Sequence, residues 1–375
     1  MSIAENHGGM YKNLKLLRET DGKAECNLFK AMGLDYVFVG NGNDIPSLIS
    51  AFKSVRDSAK PVVVHIVTEK GKGLSFAEKN KEQWHWSMPF DPETGKCTVD
   101  FGGGEDYGTI TRDILMNKIR SDSKVCAITS ATPTVFGFTA DKRAEAGKQF
   151  IDVGIAEEHA TALASGIAAV FAASVYGMND VTHLGIFDIP MISNIPNLVY
   201  IAPTTKEEYV AAIDWAIEQN EHPTAVRVPA WVVSDGKPCT KDFSKLNKYE
   251  VTQKGAKVAV IALGTFYGMG VQAAELIEKE TGIKPTVINP FYITGIDSEL
   301  LESLKADHDV VITLEDGILD GGFGEKIARF YGNSSVKTLC FGLKKEFLDR
   351  YDVNKVLKAN HLTPEQIAVD TVNAL

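Results

Sequence analysis

Glu157, Glu158 and His159 stand between two apolar stretches, Ile151–Ile155 and Ala160–Ala169. A carboxylate at the mouth of a strand-to-helix junction, flanked by Ala and Gly, is poorly hydrated and suited to holding or passing a proton. The plain alternative is a solvated helix N-terminus, where the dipole favours acids in the first turn. His183 closes the segment Asn179-Asp-Val-Thr-His183, and its imidazole can donate to a hydroxyl or carry a proton near neutral pH; a loop histidine without a role is the other reading. Arg227 sits between Val226 and Val228, so on a strand it points opposite to both and needs a partner.

The elements that must position these groups follow from hydrophobic periodicity. Ile151–Ile155 reads as a strand end, and Ala160–Ala169 as a helix of small residues with Leu163 and Ile167 at i, i+4. Upstream, Asp44 is an N-cap for a helix that closes over Lys53–Ala59, and Pro61–Val67 is a β-branched run of the kind buried in a parallel sheet. The glycine loop Thr68-Glu-Lys-Gly-Lys-Gly-Leu74 follows that strand, and the glycine-rich stretch from Val99 to Glu105 marks a linker. Tyr107–Ile119 is helical and Lys124–Thr129 a strand. Leu198–Ala202 is a strand too, leading to a helix over Tyr209–Glu218 that Thr204 and Glu207 cap as a box. Lys257–Gly264, Pro285–Asn289 and Asp309–Glu315 are strands separated by helical stretches, the pattern of a parallel sheet with right-handed crossovers. Gly264-Thr-Phe-Tyr-Gly-Met-Gly270 is a strand-to-helix turn, but its spacing is wrong for a dinucleotide fingerprint and no acid ends the next strand at Ile288-Asn289.

Composition narrows the classes. With 375 residues, 44% hydrophobic and 23% charged, the chain has core enough for two or three soluble domains. A net charge of −10 leaves no basic face for nucleic acid, and no apolar run approaches bilayer length, so neither a nucleic acid nor a membrane is expected as a partner. Cys26, Cys97, Cys126, Cys239 and Cys340 show neither CxxC nor metal spacing, which suits reduced thiols in a cytoplasmic protein.

Asp152-Val-Gly-Ile-Ala-Glu-Glu-His159 resembles the pyrimidine-binding motif of the 1-deoxy-D-xylulose-5-phosphate synthase family, thiamine-diphosphate enzymes of the transketolase superfamily. The resemblance implies an α/β, transketolase-like fold, with parallel sheets flanked by helices in successive α/β units. It implies that Glu157 hydrogen-bonds N1′ of the cofactor's aminopyrimidine and so promotes the tautomer that activates thiazolium C2. Thr68–Leu74 resembles the lysine-glycine loop near the diphosphate end, making Lys72 and Leu74 candidate cofactor contacts, although Leu74 stands where the family commonly has tyrosine. Gln83-Trp-His-Trp-Ser-Met-Pro-Phe-Asp91 resembles the segment whose histidine, here His85, lines the substrate channel. Asn179, Asp180 and His183 resemble a substrate-facing loop, and Arg227 matches an arginine that grips substrate phosphate. His183 and His85 would then shuttle protons.

Three domains are expected on this basis. Residues 1–98 would be the end of the diphosphate-binding domain, 106–235 a pyrimidine-binding domain shortened after Ala169, and 248–375 the C-terminal domain that mainly builds a homodimer, with Glu315-Asp-Gly and Gly321-Gly-Phe-Gly324 matching it. Met1-Ser-Ile-Ala-Glu-Asn-His-Gly-Gly9 resembles the stretch directly after the family's Asn-Asp-Asn segment. The Gly-Asp-Gly and Asn-Asp-Asn motifs that bind diphosphate and Mg²⁺ are therefore absent from this sequence, as are the Tyr-Ser-x-Phe and Gln-Arg-x-Tyr-Asp residues expected after Ala169. No metal ligand is assigned to the chain, because Mg²⁺ needs oxygen ligands in near-octahedral geometry and those lie in the missing motifs. The implied reaction joins a two-carbon unit from pyruvate to glyceraldehyde 3-phosphate with loss of CO₂, for isoprenoid precursors. Two alternatives stand beside it: the C-terminal subunit of a split transketolase-like enzyme acting on another ketose or aldehyde with an N-terminal partner subunit, and a catalytically silent paralogue that binds a partner.

Overall fold

In a computed structural model, residues 9–85, 87–98, 104–163, 168–171, 174–177 and 181–375 are described. They fall into two compact units, residues 1–104 and 105–375.

The first unit is a small α/β layer. Strands β1 (Asp35–Val39) and β2 (Val62–Ile66) pair in parallel from Asp35↔Val62 to Val39↔Ile66. The helix Ile45–Val55 crosses between them, capped by Asp44, whose carboxylate accepts from Ser47 N at 2.8 Å. Tyr36, Phe38 and His65 meet on one face, with the Tyr36 hydroxyl 2.7 Å from His65 Nδ1.

The second unit carries three sheets. In chain order its strands are β3 (Ala127–Thr129), β4 (Phe150–Asp152), β5 (Ala168–Phe171), β6 (Val199–Ile201), β7 (Thr224–Arg227), β8 (Glu250–Gln253), β9 (Lys257–Ala262), β10 (Thr286–Asn289), β11 (His308–Ile318) and β12 (Lys337–Leu343). β3 pairs β4 and the order β5-β7-β6 forms a second sheet, both parallel. The third sheet runs β12-β11-β9-β10-β8, parallel except for the antiparallel edge strand β8. β9 and β11 are buried almost end to end, because their β-branched runs are covered on both faces by helices. β6 is stitched to the turn after β10, with Ala202 N donating to Phe291 O (2.7 Å) and Ile293 N to Tyr200 O (2.8 Å).

Two expectations are corrected here. The helix expected over 160–169 instead spans Glu157–Leu163, and Ala168–Phe171 is a strand; the run Ala-Ala-Val-Phe fits a buried parallel strand as readily as a helix, and periodicity alone cannot separate the two. The cap of the Lys206–Glu218 helix is Thr205, whose hydroxyl accepts from Glu208 N at 3.2 Å, one residue beyond the expected Thr204 and Glu207 pair. Thr204 is used differently, donating both N–H and Oγ1–H to the Glu208 carboxylate. Among the described residues no helix is long and apolar enough to cross a membrane.

Candidate functional site

The junction that delivers Glu157 is built by Asp152. Its Oδ1 accepts from Ala131 N at 3.0 Å and from Gly154 N at 2.9 Å, tying the exits of β3 and β4 together. Gly154 takes φ of +77°, a left-handed turn that suits glycine, and Glu157 then opens the Glu157–Leu163 helix. Sequence reading missed this role of Asp152, although Asp-x-Gly is a recognisable turn signal. Glu157, Glu158 and His159 are all exposed. Among the described residues Glu157 therefore stands exposed, not in the poorly hydrated pocket expected around it.

The segment holding His183 is anchored from the far sheet. Asp316 on β11 accepts from Ser174 Oγ at 2.6 Å and from Val175 N at 2.9 Å, and the Tyr351 hydroxyl donates to Val175 O at 2.8 Å. His183 ends a 3₁₀ turn over Val181–His183 and is exposed. Asn179 and Asp180, the candidate substrate contacts beside it, lie outside the described residues.

Arg227 is the largest departure from expectation. It is 3% exposed on β7. Its Nε donates to Asp188 Oδ2 at 2.8 Å, while one Nη donates to Asp188 Oδ1 and Gly185 O, both at 3.3 Å, and to the Asp316 carbonyl. The other Nη lies 3.7 Å from Asp316 Oδ2, and the Tyr200 hydroxyl donates to Asp188. The guanidinium is thus engaged within the protein by buried Asp316 and half-buried Asp188, whereas the resemblance implied a grip on substrate phosphate. Gly185 follows His183 by two residues, so Arg227 and the His183 turn are brought to one region. Burial pushes the Asp316 carboxyl above its ordinary value and the Arg227 charge opposes that rise.

Next along β11, Glu315 accepts from Phe323 N (2.7 Å) and Gly324 N (2.8 Å) at the head of the Phe323–Tyr331 helix. Burial pushes its carboxyl up to about 7, against the pull of those two N–H groups. Burial likewise pushes Lys326 down to about 8, with its Nζ donating to Ile293 O at 2.9 Å. The signal for this buried charge column was an acidic Glu315-Asp316 pair in the middle of an apolar strand.

In the first unit, Lys72 and Leu74 share one turn in which Gly71 and Gly73 have φ of +79° and +96°. Lys72 is exposed and paired with Glu69 at 3.0 Å, and Leu74 precedes the Ser75–Lys79 helix without a side-chain cap. His85 is exposed. Among the described residues no group of three or more His, Cys, Asp or Glu could hold a metal ion. A cavity of about 300 Å³ lined by Ser193, Asn197, His222, Asn247 and Thr294 contains none of the candidate residues.

Residues 1–68 match the family model described as 1-deoxy-D-xylulose-5-phosphate synthase, and residues 247–367 match the model for the transketolase C-terminal domain. Among curated relatives, a 1-deoxy-D-xylulose-5-phosphate synthase of Caldanaerobacter subterraneus subsp. tengcongensis is 30% identical over 92% of this chain and 60% of its own. One from Clostridium perfringens is 32% identical over 90% of this chain and 60% of its own. The chain thus spans about 60% of the length of those relatives. Among solved structures, a split-gene transketolase described as an inactive β4 tetramer superposes with a TM-score of 0.58 at 22% identity, covering 73% of this chain and 99% of that one. A transketolase of Pichia stipitis gives 0.56 at 14% identity, covering 92% and 68%. These likenesses show a transketolase-like α/β fold.

Proposed function

We propose that the chain belongs to the transketolase-like family that includes 1-deoxy-D-xylulose-5-phosphate synthase, and that it serves a thiamine-diphosphate-dependent transferase joining a two-carbon unit from pyruvate to glyceraldehyde 3-phosphate with loss of CO₂. The observation that carries the reading is the Asp152 turn, which ties the exits of β3 and β4 and sets Glu157 at the first position of the Glu157–Leu163 helix, where the family's pyrimidine-binding glutamate stands. When bound, thiamine diphosphate supplies the carbanion chemistry. This chain's part is to present the Glu157 carboxylate to the pyrimidine ring and to hold the His183 segment in place through Asp316. The residues given a role here would serve only that end of the cofactor. Lys72 is engaged by Glu69, no ligand set for Mg²⁺ is present among the described residues, and the diphosphate and metal contacts belong to the Gly-Asp-Gly part of the family.

That one-sided fit also favours a second reading, in which the chain is the C-terminal subunit of a split enzyme with another ketose or aldehyde pair. We place the enzyme in the cytoplasm as a homodimer built on residues 248–375, in keeping with cysteines that form no disulfide. The test is Glu157→Gln in the enzyme that includes the family's Gly-Asp-Gly part, on the same chain or another. An amide of nearly equal volume should leave folding intact and lower both product formation and H/D exchange at thiamine C2 by several orders of magnitude. Exchange at the wild-type rate would sink the assignment of Glu157.

A further inference from the structure

A cavity of about 300 Å³ in the second unit lies between residues 193–199 on one side and Asn247, Thr294 and Gly295 on the other, and none of Glu157, His183 and Arg227 lines it. Its two sides are held by the fold itself. Lys326 Nζ donates to Ile293 O at 2.9 Å and lies 3.5 Å from both Ser193 O and Thr294 O, and Tyr200 N donates to Thr294 Oγ1 at 3.3 Å.

The polar lining is only partly used. Ser193 is 5% exposed, yet its hydroxyl has no hydrogen-bond partner among the described residues, and neither has the buried Oδ1 of Asn247. No hydrogen bond among the described residues engages Asn247 Nδ2 either, so the whole carboxamide is free. A buried polar atom left unpaired costs stability, and few persist in a folded protein, so two at one cavity mark a place that a further molecule completes. The amide is also fixed in orientation. A Cβ on Gly295 would lie 2.3, 2.4 and 2.5 Å from Cγ, Oδ1 and Nδ2 of Asn247, so the amide plane rests flat against that glycine.

The lining also limits what enters. Among the described residues no Lys, Arg, Asp or Glu faces the cavity, while Leu198, Val199 and Leu246 give it apolar surface. A charged group would be taken from water without a countercharge, whereas a flat uncharged ring is not penalised. His222 Nδ1 lies 3.0 Å from Asn197 Oδ1, which only accepts, so the proton sits on Nδ1 and the other ring nitrogen is an acceptor. The volume is at the low end for small-molecule sites and suits a nucleoside. A carboxamide free at both atoms reads an amine beside a ring nitrogen, with Oδ1 accepting from the amine and Nδ2 donating to the nitrogen, as asparagine reads adenine. Adenine offers that pair on two of its edges and fills more of the space than cytosine.

We propose that this cavity binds the adenine ring of a nucleoside or nucleotide, with the Asn247 carboxamide reading its amino edge and the Ser193 hydroxyl gaining a partner. The site is independent of the transferase reading.

The test is calorimetric titration of the purified full chain with adenosine, AMP, inosine and cytidine. Adenosine should bind with a dissociation constant on the order of 0.1 mM, as a ligand of nucleoside size allows. Inosine carries a carbonyl in place of the amine and sets two acceptors against Asn247, so it should bind at least about tenfold more weakly. AMP at the affinity of adenosine would leave its phosphate in solvent and make nucleotides equal ligands, and a tenfold weaker AMP would restrict the site to nucleosides. Asn247→Asp keeps shape but turns the Nδ2 donor into an acceptor, and should weaken adenosine at least about tenfold. Asn247 has φ of +60°, which glycine adopts freely, so Asn247→Gly should fold and lose as much. Ser193→Ala should weaken adenosine several-fold while the melting temperature holds or rises, because it removes an unpaired buried hydroxyl. Absence of saturable binding at millimolar adenosine and AMP overturns the proposal and leaves a solvent-filled cleft. Inosine or cytidine binding as tightly as adenosine overturns it too, as does adenosine binding unchanged in both Asn247 variants.

Discussion

Arg227 and Asp188 face each other through a two-point contact, Nε to Oδ2 at 2.8 Å and Nη to Oδ1 at 3.3 Å, with the arginine 3% exposed. Asp316 closes the other side, so one cation holds a buried and a half-buried carboxylate from different parts of the second unit.

Arg227→Met should therefore act on stability. Removing one partner of a buried pair leaves uncompensated charge, and the loss expected is about 3–5 kcal/mol, read as a lower denaturant midpoint. Arg227→Lys loses the planar fork and should fall between wild type and methionine. In the complete assembly it should shift KM for phosphorylated and unphosphorylated acceptors alike. A selective rise for the phosphorylated acceptor would place Arg227 at the substrate after all.

Glu315 gives a pH dependence of definite sign. Its carboxyl lies near 7 in the fold against 4.5 without it, so between those values the folded chain binds more protons than the unfolded one. Stability should fall as pH rises through that window, by up to about 3 kcal/mol from this group. Lys326 works in the opposite sense, with stability recovering between its folded value near 8 and 10.5. Equilibrium denaturation from pH 4 to 8 should show the decline, and Glu315→Gln should flatten it. A slope unchanged in the variant would assign the decline to other groups.

Two glycines in the Tyr267–Thr281 helix should respond oppositely to alanine. A Cβ on Gly270 would lie 2.5 Å from Ala262 Cβ and 3.2 Å from Val260 Cγ1, neither of which is a flexible tip. Overpacking of about 1–3 kcal/mol there outweighs the helix gain of up to about 1. Gly268 has nothing within 4 Å, so alanine there should be neutral or stabilising. Thermal melts should show a lower midpoint for Gly270→Ala and an unchanged or higher one for Gly268→Ala.

The sequence was most informative where one segment decides its own structure. Lys257–Ala262, Thr286–Asn289 and the core of His308–Ile318 are strands because continuous β-branched runs need burial on both faces, and Asp44 caps its helix through a bond three residues away. Distant partners were invisible. Arg227 pairs with residues 39 and 89 positions away, and nothing local distinguishes a guanidinium facing Asp188 and Asp316 from one facing a phosphate. The exposure of Glu157 was hidden for a related reason: small neighbours announce close packing only if something packs against them. Asp152 was legible in principle through its Asp-x-Gly turn, and Thr205 was missed by one residue because two adjacent threonines offer the same hydroxyl.

The buried tie between β7 and β11 also bears on what happens if the chain is cut. The stretch from Ala230 to Asn247 connects the two sheets covalently, yet Arg227, Asp188, Asp316 and the Tyr200–Ile293 bond already hold them together without it. The connector adds its own grip through Phe243 on Trp215 and Phe291 and through Lys241 between Glu208 and Glu250, so nicked at Asp235 the second unit should persist as two associated fragments.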